Sequence, residues 1–135
     1  MFEENKLINA IVNEDFDETH KILTDIYNDD NGKMCVEFLI TFIMENSDVD
    51  YGMPGPVVHF IEKYPIDFYV EFLLKAIKTR PNETLLWMLN RIINSPFVTG
   101  KKDYLEILKS TSERNDIAEV TKEVAKRFYD YQISV

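Results

Sequence analysis

The chain has 135 residues, 45% of them hydrophobic, and its 24 acidic and 15 basic residues give a formal net charge of −9. That apolar fraction excludes intrinsic disorder as the main state, and the length suits a single helical domain spanning 1–135. Four glycines and five prolines are too few for a turn-dense β protein, no apolar run reaches the roughly 18 residues of a membrane helix, and Cys35 alone cannot form an internal disulfide.

The predicted elements are all helical. Over 2–12, Leu7, Ile8 and Ile11 fall at helical spacing, and over 15–27 Phe16, His20, Leu23, Ile26 and Tyr27 make one amphipathic face. The turn NDDNG at 28–32 breaks the chain. Segment 33–45, KMCVEFLITFIME, is apolar almost all round and reads as a buried helix, and 46–56, NSDVDYGMPGP, reads as a loop. Pro56 suits the first turn of a helix over 56–64 that Pro65 stops. A helix over 66–79 ends ahead of Pro81. Asn82 is the expected N-cap of a helix over 83–94, closed by Ser95 and Pro96. Segment 101–111 puts Tyr104, Leu105 and Leu108 on one face, and Asn115 is the expected cap of a last helix carrying Ile117, Val120, Val124 and Phe128.

About eight short helices in antiparallel hairpins follow, an all-α fold arranged as an irregular bundle or a short alpha-solenoid-like stack. Helix starts recur every 15–17 residues or so from Pro56 onward, yet no residue pattern repeats.

Charge is distributed unevenly. Residues 1–50 carry 13 acids against Lys6, Lys21 and Lys33, a net of −10, while residues 51–135 carry 11 acids and 12 bases, a net of +1. Such a field repels nucleic-acid phosphates and attracts a basic protein. The candidate contacts are the carboxylates Asp15, Asp17, Glu18, Asp29 and Asp30, together with Glu45, Asp48, Asp50 and Tyr51 of the loop ENSDVDYGM. Carboxylates offer bidentate partners to arginine, and tyrosine is enriched at interfaces. The ordinary alternative is an acidic surface that keeps the chain soluble.

Catalytic constellations are missing. His20 and His59 stand 39 residues apart, which removes the H-E-x-x-H metal helix. Both read as hydrogen-bonded structural histidines, His20 on the apolar side of its helix. With Gly32 set at position 6 of a calcium loop, Tyr27 and Phe38 fall where carboxylates are needed. Glycine at 32, 52, 55 and 100 alone cannot write a phosphate loop. No catalytic residue, metal or cofactor is therefore expected. Asn90 and Arg91 interrupt an apolar run and need partners if buried, an acidic neighbour being the simplest for Arg91. The start MFEENKLINA has neither the cationic nor the apolar part of a secretion signal, so a cytoplasmic chain is expected.

The stretch MPGPVVHFIEKY, and after one helix RPNETLLWMLNRIIN, resembles a pattern of small all-helical immunity proteins of bacterial contact-dependent growth inhibition and related polymorphic toxin systems. The matching positions are Gly55, Pro56, His59, Phe60, Glu62, Arg80, Pro81, Thr84, Trp87, Met88, Leu89, Asn90 and Arg91, within residues 53–94. The resemblance implies a protein that neutralises a cognate toxin domain, frequently a basic nuclease, by binding it without catalysis. The apolar matched positions suggest a shared core, leaving partner specificity to the acidic segment 1–50. The leading expectation is thus an immunity protein in a 1:1 complex with a basic toxin domain. The alternative is a helical adaptor or scaffold for another basic partner; a hydrolase with a carboxylate-bound metal is the least favoured.

Overall fold

The computed structural model describes residues 2–29 and 32–134. Among these residues every regular element is helical: α1 (Glu4–Val12), α2 (Phe16–Asn28), α3 (Gly32–Glu45), α4 (Gly55–Glu62), α5 (Ile66–Thr79), α6 (Glu83–Ile93), α7 (Lys101–Ser112) and α8 (Glu119–Ser134). The predicted all-α fold of eight short helices is the observed one. Within α5 the chain divides into two compact units, Met1–Phe72 and Leu73–Val135.

In the first unit α2 packs against α1, α3 and α4. Its N-terminus is fixed by the Asp15 carboxylate, which accepts from the Glu18 amide at 3.1 Å and so satisfies one of the free N–H groups of the first turn. Thr19, Ile22, Leu23 and Ile26 are buried against Leu7 and Ile11 of α1, the apolar side of α3 (Cys35, Val36, Leu39, Ile40, Ile43) and Val57, Val58, Phe60 and Ile61 of α4. Burying side chains of this size contributes about 1.5–3 kcal/mol each.

A column of rings runs through the same unit. Tyr64 stands edge-on to Tyr27 at 5.6 Å and to Phe60 at 5.7 Å, and continues to Phe68 at 5.8 Å. The tip of the Tyr64 ring rests on Gly32, where a β-carbon would coincide with the Tyr64 hydroxyl. Tyr27, Phe60 and Phe68 pack against the ring, so turning Tyr64 aside gives up those contacts. Gly32→Ala is therefore expected to lower stability by about 1–3 kcal/mol, read as a lower urea midpoint. Adding Tyr64→Phe, which removes the clashing oxygen, recovers part of that loss.

In the second unit α7 and α8 form a close hairpin covered by α6. Asn82 caps α6 as expected, its Oδ1 accepting from the Leu85 amide at 3.0 Å. Buried Asn90 accepts from the Gln132 side chain at 2.7 Å, and Asn94 accepts from the same amide at 2.8 Å. Arg91 lays its guanidinium over Trp87, 5.3 Å from the ring centre.

The last helix departs from expectation, beginning at Glu119 rather than after Asn115. Arg114 accounts for the delay. Its Nε and Nη2 donate to the Asp116 carboxylate at 2.9 and 2.8 Å, while Nη1 donates to the Lys78 carbonyl at 3.0 Å. The side chain thus ties the bend at residues 115–117 to the end of α5 and satisfies a carbonyl there. The same pair raises the Arg114 pKa and lowers that of Asp116.

Candidate protein-binding surface

The division into units sharpens the charge asymmetry. Residues 1–72 carry 16 acids against four lysines, a net of −12, whereas residues 73–135 carry eight acids and eleven bases, a net of +3. In the first unit the acids gather where α1 turns into α2. The Glu14 carboxylate accepts from the Asp50 amide at 2.9 Å, which fastens the loop 46–54 beside that turn. The Asp50 carboxylate in turn accepts from the Gly52 amide at 2.9 Å. Asp15 and Asp17 on the α2 side and Asp48 and Asp50 on the loop side are exposed, with Glu18 partly so.

The candidate contacts do not form one patch. Asp15, Asp17, Glu18, Asp48 and Asp50 belong to this end, and Glu45 is the exposed last residue of α3, just ahead of the loop. Asp29 follows the opposite end of α2, separated from Asp15 by a 13-residue helix, about 20 Å at 1.5 Å per residue. There it borders a crevice of about 200 Å³ with Glu3, Lys6 and Asp25 over Ile22 and Ile26. Asp30 lies outside the described residues.

Tyr51 requires a correction. It is 3% exposed, and its hydroxyl donates to the Asn46 carbonyl at 2.7 Å. Its ring pins the loop inward, burial pushes its pKa up, and it presents no surface to a partner.

The histidines require a second correction. Both are exposed, and both line a groove of about 390 Å³ between α2 and α4. Phe16 and Leu23 of α2, Pro56 and Phe60 of α4 and Met53 of the loop form its apolar part, and Lys63 closes one side. His59 Nδ1 lies 3.9 Å from Glu62 Oε1. The Lys63 ammonium sits 4.7 Å from the centre of the Tyr27 ring. Of the apolar face expected on α2, Leu23 and Ile26 enter the core, while Phe16 stays 40% and Tyr27 43% exposed. Sequence reading missed this groove because its α2 side has the same spacing as a core face.

Several of the apolar positions carrying the immunity-protein resemblance, among them Phe60, Met88 and Leu89, are buried, as expected for core residues. His59 and Arg80 are exposed. Among the described residues, no group of three His, Cys, Asp or Glu side chains could hold a metal ion, and no helix is long and apolar enough to cross a membrane. No protein-family model, curated protein or solved structure matches the chain.

Proposed function

We propose that this chain is a binding protein for a basic protein domain, acting as an immunity protein that neutralises a cognate toxin, in keeping with its resemblance to such proteins. The observation that carries the reading is the fastened cluster of exposed carboxylates at the α1–α2 turn, within a unit of net charge −12. Carboxylates held there would occupy the arginine and lysine surface that a nuclease presents to phosphates. Inhibition then follows from occupancy of that surface, with no covalent chemistry on either side.

The experiment is co-expression with the C-terminal domain encoded by the gene immediately upstream. A 1:1 complex that co-purifies, with growth restored to cells expressing that domain, is the expected result. Absence of both a complex and growth rescue would remove the immunity reading. A complex with a basic protein that is harmless when expressed alone would instead establish the adaptor.

A further inference from the structure

The groove between α2 and α4 has a charge character opposite to the unit that contains it. The first unit holds six lysine and histidine side chains (Lys6, His20, Lys21, Lys33, His59 and Lys63). Three of them, His20, His59 and Lys63, line the groove, and no described carboxylate does. The acids nearby stand outside it: Glu62 beside His59 Nδ1, and Asp50 in the neighbouring crevice with Phe16 and Pro56. Met53 at the groove is 89% exposed, and Phe16 is 40% exposed, apolar surface that a partner would remove from water.

We propose that this groove is a docking site for an extended segment of a partner protein that carries an apolar side chain next to a carboxylate. The cavity, about 390 Å³, falls in the size range of binding pockets and takes one large side chain. Lys63 supplies a fixed positive charge and the two imidazoles supply N–H donors, so a carboxylate finds charge-assisted partners there that it finds nowhere else among the site's acids. Met53, unbranched and flexible, moulds itself to the inserted side chain. The first turn of α4 starts at the groove without a side-chain cap, and its dipole has the same sign. A lysine or arginine segment meets the reverse: the like charge of Lys63 and no carboxylate in the groove lining. The inference stands apart from the capture of a basic domain, which concerns the carboxylates around the groove.

A random-peptide phage library panned against the immobilised full-length protein tests it. Enriched clones are expected to pair an aromatic or aliphatic residue with Asp or Glu. A synthetic peptide of the consensus should bind about tenfold or more weakly to Lys63→Glu and to the double variant His20→Ala, His59→Ala. All three side chains are exposed, so circular dichroism should report an unchanged fold. Asp17→Lys with Asp48→Lys should leave peptide binding intact, which separates this site from the acidic one. Failure to enrich any peptide, enrichment of basic peptides, or indifference of the consensus peptide to the groove substitutions would each overturn the proposal.

Discussion

Reversing Asp17 and Asp48 to lysine is expected to slow association with the basic partner by roughly tenfold or more at low salt, while changing dissociation far less. These two residues suit the test because both are exposed, and neither carries the connections that Asp15 makes as a helix cap or Asp50 makes within its loop. The double change moves the first unit from −12 to −8, a loss of steering over distances comparable with the screening length, about 10 Å at 0.1 M salt. Stopped-flow mixing across a salt series reads it directly. The wild-type rate should fall steeply with salt and the variant rate should run flatter, the two converging at high ionic strength. Equal rates at low salt would mean that the partner approaches another face, and the more basic second unit would become the place to look.

The second large effect concerns Cys35. Its side chain is fully buried, and burial, reinforced by the charge of Glu4, pushes its pKa up from 9.0 to about 12. Since only the thiolate is alkylated, iodoacetamide at pH 8 should react with the folded protein on the order of a thousandfold more slowly than with the urea-unfolded chain. Mass spectrometry of timed aliquots measures both rates.

The same shift has a consequence for stability. Well below pH 9 the thiol is protonated in both states and adds no pH dependence to stability. From pH 9 towards 12 the unfolded chain loses the proton and the folded chain keeps it, so stability falls as pH rises. Burial of the Tyr51 phenol acts in the same direction. Cys35→Ala should flatten the decline in this window, and an unchanged alkaline slope would show that the thiol does not contribute to it.

Helix existence was legible in the sequence because each segment carried both a period and a stop. Pro65 and Pro81 follow the ends of α4 and α5, and Asn82 caps α6 as its chemistry dictates. The start of α8 was not legible, since Arg114 reaches back 36 residues to the end of α5, and no local pattern encodes that contact. The acidic end was legible as composition only. Its assembly depends on the Glu14 carboxylate meeting the Asp50 amide, a pairing between residues 36 positions apart.

The misreadings on α2 have one physical cause. An amphipathic helix displays its apolar stripe without stating how much of it the fold will cover. The stripe through Phe16, His20, Leu23 and Tyr27 is wider than the area covered by α1, α3 and α4, so its edge remains outside. Tyr51 failed in the opposite sense. A tyrosine in a polar loop looks like a contact residue, but a carbonyl at Asn46 lies within reach of its hydroxyl and makes burial favourable.

The bond from Glu14 to the Asp50 amide, together with buried Tyr51 and its bond to the Asn46 carbonyl, holds the carboxylate rim in shape before any partner arrives. A rim held in this way loses little configurational freedom on complex formation, so calorimetry should record a small heat-capacity change, set by desolvation alone. Cutting the tie with Glu14→Ala would remove one charge, leave Asp15, Asp17, Asp48 and Asp50 in place, and shift the cost of freezing the loop onto the binding step, appearing as a less favourable entropy.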